Sequence, residues 1–186
     1  ECNIDFNTAF LDGSKFEADA NKYKFVWKPT KYHQKLSDKI RIILSKYELS
    51  RNVPETGIIP ATTIADKITK FNNLISNIDI SDKSNKEIFK DYEFLKSALI
   101  KSLEYEEKEK ICGPDRNSYY KTDHDATAMC LKRDYYSGLG TNTHAAYNTQ
   151  IIVCKGLIAT YYVSQSRSDL KDLIPALDKF YESYSI

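Results

Sequence analysis

The sequence predicts an α/β chain, more narrowly α+β, in which a sheet is interrupted by a helical insertion. Three observations carry this. Apolar and polar residues alternate with period 2 around residues 10–16 and again across 147–164, as half-buried strands require. Between them, residues 32–110 place apolar side chains at helical spacing. From Leu170 the helical period returns. The divisions that follow are 1–29 for the first strands, 30–112 for the helical insertion, and 113–186 for a hairpin and helix that complete the sheet.

In the first strand Phe10, Asp12, Ser14 and Phe16 share one face, so a carboxylate stands among apolar neighbours. Such a group calls for hydrogen bonds, a cation or a metal. Asp12-Gly13 also reads as a turn pair. After a turn at Asn21-Lys22 comes a short aromatic strand, Phe25-Val26-Trp27, ended by Pro29.

Leu36, Ile40, Ile43, Leu44 and Tyr47 then define a first helix. A second is expected from about Pro60 to Asn77, capped by Thr62 or Thr63, with Ile64, Ile68, Phe71, Leu74 and Ile75 on one side. Ser81-Asp82-Lys83 breaks it. Ser84 and Glu87 form a capping box for a third helix that runs to about Lys110 with the stripe Ile88, Tyr92, Leu95, Leu99 and Leu103. Its charged end, Glu104 to Lys110, reads as a solvated face. Three amphipathic helices in succession predict an antiparallel bundle, and none carries legible chemistry.

Gly113-Pro114-Asp115 is a turn. Asp123 is placed to cap a short helix from His124 to about Lys132, with Asp125 in its first turn. Gly138-Leu139-Gly140 punctuates the chain before two strands, Tyr147–Val153 and Leu157–Ser164, which turn at Lys155-Gly156. The last helix is expected to turn Leu170, Leu173, Ile174, Leu177, Phe180 and Tyr184 inward, with Pro175 restricting its early turns.

Bulk properties limit the function classes. The chain's 186 residues suffice for one sizeable core. A mean hydropathy of −0.52 and the lack of a long apolar run predict a soluble protein. Lys and Arg number 27 against 26 Asp and Glu, so charge alone gives no basic nucleic-acid footprint. Cys2, Cys112, Cys130 and Cys154 form no metal or disulfide pattern, which predicts reduced thiols and a cytoplasmic setting. There is no signal peptide, and the only methionine is Met129, so the chain is expected to lie within a longer protein.

Two stretches add a resemblance. Leu11-Asp12-Gly13-Ser14-Lys15-Phe16-Glu17-Ala18-Asp19-Ala20-Asn21-Lys22-Tyr23, continuing to Lys28, resembles the opening of the catalytic domain in a group of bacterial insertion-sequence transposases of the DDE class. Arg116-Asn117-Ser118-Tyr119-Tyr120-Lys121-Thr122-Asp123-His124-Asp125-Ala126-Thr127 is similar to a second block of that family. It continues into Ala145-Ala146-Tyr147-Asn148-Thr149-Gln150-Ile151.

The resemblance implies the first half of an RNase H-like domain: a partial mixed sheet with the helical insertion between its first strands. It implies that Asp12 is the first catalytic, metal-binding acid, serving a two-ion Mg²⁺ or Mn²⁺ centre. The family's second Asp and its Glu are not found in this chain, so the segment by itself is expected to be inactive. Lys15, Arg116, Asn117 and Lys121 are the candidate DNA contacts. The implied partners are DNA, both element ends and target, and a second copy in the active complex; a membrane is not among them. The implied location is the bacterial cytoplasm, at the nucleoid. The family often has an acid where Cys154 stands, at a turn. Asp12 is expected to lie exposed beside the block 117–125. The first strand, central in that fold, is expected to lack its outer partner and leave residues 8–18 with an open edge. A non-catalytic DNA-binding or regulatory fragment is the alternative, and a helical protein-interaction module is a third reading.

Overall fold

The computed structural model describes residues 8–76, 78, 85–138 and 142–184. In chain order its elements are β1 (Ala9–Glu17), β2 (Phe25–Trp27), α1 (Thr30–Lys46), α2 (Ala61–Ile75), α3 (Lys86–Cys112), β3 (Ser118–Tyr120), β4 (Thr127–Met129), α4 (Lys132–Tyr136), β5 (His144–Cys154), β6 (Leu157–Ser164) and α5 (Asp169–Tyr184). The α+β class holds. Two compact units divide the chain, one of Glu1–Trp27 with Arg116–Ile186, the other of Lys28–Asp115. No described helix is long and apolar enough to cross a membrane.

The first unit is built around β5. β1 lies antiparallel along one side of it, from Ala9 opposite Cys154 to Glu17 opposite Ala146. On the other side β6 pairs with Asn148 to Cys154, and β4 continues beside His144 to Ala146. β2 and β3 form a separate two-stranded ladder. Every ladder among the described residues is antiparallel, where a mixed sheet was expected. Lys155 and Gly156 both have positive φ, 48° and 80°, which suits the tight turn that joins β5 to β6.

Because side chains alternate, β5 has two different faces. Ile152 and Cys154 point to the side covered by α5, where Phe180, Leu177 and Leu11 meet them. Asn148 and Gln150 point the same way and are fully buried. Their amide N–H groups donate to the start of α5. Asn148 Nδ2 donates to Asp169 Oδ1 at 2.8 Å and to Asp172 Oδ2 at 3.0 Å, and Gln150 Nε2 donates to Asp169 Oδ1 at 3.0 Å. Ser164 Oγ donates to Asp172 Oδ1 at 2.7 Å. These bonds fix the rotation of α5.

They also explain why the expected inner stripe is displaced. The buried face is Asp172, Ala176 and Phe180, while Leu170, Leu173 and Ile174 are exposed. Gly13 is likewise no turn residue; it lies in the middle of β1. A Cβ there would come within 2.6 Å of Asp169 Cγ and Gln150 Nε2, so only glycine admits this close approach.

The helix expected over 124–132 is absent. Asp123 Oδ1 does accept from the backbone N–H groups of Asp125 and Ala126, at 3.1 and 3.2 Å, but it closes an Asx-type turn that leads into β4. The helix begins only at Lys132.

The second unit is three helices around Ile40, Leu44, Ile59, Ile64, Phe71, Ile75, Leu95 and Ala98. Each fully buried Phe or Ile contributes about 1.5–3 kcal/mol. Neither Thr62 nor Thr63 caps α2, because the helix starts one residue earlier, after Pro60, and has no side-chain cap from its own start. The Glu106 carboxylate of α3 instead accepts the Ala61 N–H at 2.7 Å. Ser84, and with it the expected capping box, lies outside the described residues, as do Cys2, Asn77, the break at 81–83 and Leu139-Gly140. Glu87 bonds Lys46 of α1.

On α3 the buried stripe runs Leu95, Ala98, Ser102, and Leu103 is 52% exposed. The stripe is partly polar because His33 of α1 lies against it. His33 Nε2 is 2.9 Å from Ser102 Oγ and Nδ1 is 3.1 Å from Glu109 Oε2. Glu106 and Glu109 therefore tie helices together rather than only facing solvent.

Candidate functional site

Asp12 occupies the middle of β1, on the face away from α5. Its cross-strand partner is Ile151, whose own partner on β6 is Tyr161. Along this face run Phe10, Asp12, Ser14 and Phe16, opposite Val153, Ile151, Thr149 and Tyr147. Phe10, Phe16, Ile158, Tyr161 and Val163 are exposed. Asp12 is exposed too, and no hydrogen bond or ion pair to it is found among the described residues. It is an open carboxylate on an apolar platform, able to accept a donor or a cation.

The second resembling block borders one end of the same face. Tyr147, opposite Phe16, donates its hydroxyl to Asp123 Oδ2. Tyr120, Ala126 and Ala145 pack together there with Tyr147 and Ala128. Gln165, just beyond β6, donates to Asp125 Oδ1 at 3.0 Å. Asp123 is thus tied to Tyr147, whose partner Phe16 lies four residues along β1 from Asp12, and among the described residues no bond joins Asp12 to 117–125. Expected as direct neighbours, the two stretches share a surface instead.

Asp123 is held well into its ionised form, first by the Tyr147 hydroxyl and then by the Ala126 and Asp125 N–H groups. Burial, with the adjoining Asp123 charge, pushes the Tyr147 phenol up to about 12. His124 lies edge-on to Tyr119, with ring centroids 5.0 Å apart.

The expected DNA contacts are dispersed. Lys15 alternates to the face opposite Asp12. Arg116 Nη1 donates to the His124 carbonyl at 2.6 Å and so braces the 122–125 turn. Asn117 and Lys121 are exposed, and the Lys121 N–H holds the Lys24 carbonyl at 2.9 Å.

A cluster that sequence reasoning missed lies on the α5 side, near the end of β1. Glu17 Oε1 is 2.7 Å from His144 Nδ1, and its other oxygen pairs with Arg133. His144 Nε2 is 3.1 Å from both Asp134 Oδ2 and Asn142 Nδ2. With Nδ1–H donating to Glu17, Nε2 is the acceptor for Asn142. His144 and then Arg133 keep the Glu17 carboxyl below its ordinary range. Only the period-2 position of His144 ahead of the expected strand hinted at this. The two carboxylates approach opposite edges of the ring, so they cannot share one ion with it.

Among the described residues no three His, Cys, Asp or Glu side chains group as metal ligands. Asp12 supplies one carboxylate where a two-ion centre needs several. The donor set at Asp12 does not fit such a centre. Among the described residues Cys112, Cys130 and Cys154 form no disulfide. Comparison of the chain with protein-family models, with curated proteins and with solved structures finds no match.

Proposed function

We propose that this chain is a segment of a DDE transposase, the first part of an RNase H-like catalytic domain that cuts element ends and transfers DNA strands. One observation supports the reading best. The two resembling stretches, which the helical insertion separates in the chain, border one open sheet face, and Asp12 stands exposed on it. In this reading Asp12 is the first acid, β5 is the scaffold that places it, and the 122–125 turn shapes the rim. The remaining acids come from sequence outside the chain, and the chain by itself does not cleave. Asp12 would supply one carboxylate to an ion, and the described residues supply no others beside it. Lys121 and Asn117, both exposed, are the DNA contacts this reading retains.

The test is strand cleavage by the parent reading frame in Mg²⁺ or Mn²⁺. Asp12→Asn is expected to lower cleavage by at least about a thousandfold, or ~4 kcal/mol of barrier, with circular dichroism and melting unchanged. Equal cleavage by the Asn variant would remove Asp12 from the mechanism. The alternative of a DNA-binding segment without catalysis draws on the single carboxylate at the site. A mobility-shift series over salt measures it, because phosphate contacts weaken steeply as salt rises.

A further inference from the structure

The helical unit holds an ammonium whose charge its own side chains answer poorly. Lys67, on α2, is only 3% exposed. One N–H donates to the carbonyl of Arg51. The nearest carboxylate oxygen, Asp66 Oδ2, is 3.9 Å away, beyond hydrogen-bond reach. That carboxylate is also 53% exposed and already bonded to Lys70 Nζ at 2.9 Å. A buried charge needs close, hydrogen-bonded compensation, and among the described residues two of the three ammonium donors have no partner.

Lys67 lines a cleft of about 360 Å³ with Glu48, Leu49, Arg51, Asn52 and Lys70. Three cations and one carboxylate line it, and Leu49 is its only apolar side chain. The Arg51 guanidinium has no partner among the described residues. The excess of positive charge repels a cation here. A tetrahedral dianion matches the excess of positive charge and the supply of N–H donors, and a guanidinium fork suits its oxygens.

We propose that this cleft binds a phosphate group, with Lys67 as the buried anchor and Arg51 and Lys70 as the outer donors. The inference is independent of the transposase reading, whose residues all lie in the other unit.

The experiment is calorimetric and NMR titration of the full chain with inorganic phosphate at fixed ionic strength. Saturable binding is expected, with amide shifts at 48–52 and 67–70. Arg51→Gln should weaken it about tenfold, the worth of one charged hydrogen-bonded contact, and Lys67→Met should abolish it. The Lys67 substitution also changes packing, so Arg51→Gln, at an exposed side chain, keeps the result interpretable. Lys39→Gln, on the exposed side of α1, should leave affinity unchanged. Competition identifies the source of the phosphate: displacement by a nucleoside 5′-monophosphate marks a phosphomonoester site, and displacement by short duplex DNA marks a phosphodiester site. The proposal is overturned by non-saturable binding, by equal displacement with chloride, or by affinity that neither Arg51→Gln nor Lys67→Met alters.

Discussion

Asp123 and Tyr147 form the most consequential side-chain pair on the candidate face, since they fasten the 122–125 turn to the central strand. Their titrations predict stability at both ends of the pH range. Asp123 has a folded pKa below its ordinary 3.8, so its contribution is complete above that value and is lost as pH falls through the folded one. For Tyr147 the sign is reversed. Its folded value of about 12 lies above the ordinary 10, so the neutral phenol is favoured by folding, and that stability drains away as pH rises from 10 to 12. Tyr147→Phe should cost about 1–2 kcal/mol at neutral pH, the range for a hydrogen bond to a partly exposed charge. It should also delete the alkaline step and move the Asp123 titration toward its ordinary value. Urea midpoints across pH, with side-chain carboxyl NMR, read all three. An unchanged acid limb in the Phe variant would show that the backbone donors hold Asp123 alone.

At the scale of elements, legibility followed how far one physical signal dominated. The insertion helices were readable because their apolar periodicity largely agrees with their burial; β1 and β6 were located by alternation alone, since Phe10, Phe16, Ile158, Tyr161 and Val163 lie on the exposed face. α5 was located, but its orientation was not. Asp172 faces inward because Asn148 and Ser164 need an acceptor, and a hydrophobic pattern carries no trace of that demand. The segment after Asp123 failed for a related reason, since a side chain that accepts two backbone N–H groups serves a turn as well as a helix start. Asp12 was found by resemblance and alternation, whereas Glu17, Asp134 and His144 meet only through tertiary folding. β1 itself carries the next prediction. It pairs with β5 alone, and among the described residues nothing pairs with its outer edge. Alternate amides between Ala9 and Glu17 should therefore exchange fast in dilute solution, while those of β5 over 146–153, flanked on both sides, are protected. At higher concentration the fast amides should slow as copies pair through this edge, with Phe10 and Phe16 adding apolar contact. Uniform protection of 9–17 at the lowest concentration would mean that the edge is already covered.

At the scale of the whole molecule, the chain leaves the sheet-containing unit at Trp27 and re-enters it at Arg116. Trp27 and Ser118 are directly paired in the β2–β3 ladder. At the other side of this junction, Lys28 Nζ donates to the Gly113 carbonyl at 2.5 Å, so the helical unit closes its own ends. The helices are thus inserted at a point where the chain could instead have made a hairpin. Replacing residues 28–115 by Asn-Gly leaves a loop of Asn, Gly, Arg116 and Asn117 between two paired strands, a length that hairpins use commonly. Arg116 is retained because it braces the 122–125 turn. The shortened chain should keep its antiparallel sheet, its buried Asn148–Asp169–Asp172 network and a cooperative melt. Residues 28–115 expressed alone should remain helical around Ile40, Phe71 and Leu95. Circular dichroism and amide NMR of the two pieces, set against the intact chain, give the answer. If the shortened chain loses its dispersed β-sheet amides, the insertion is part of what folds the sheet, and the division into two units describes contacts without describing stability.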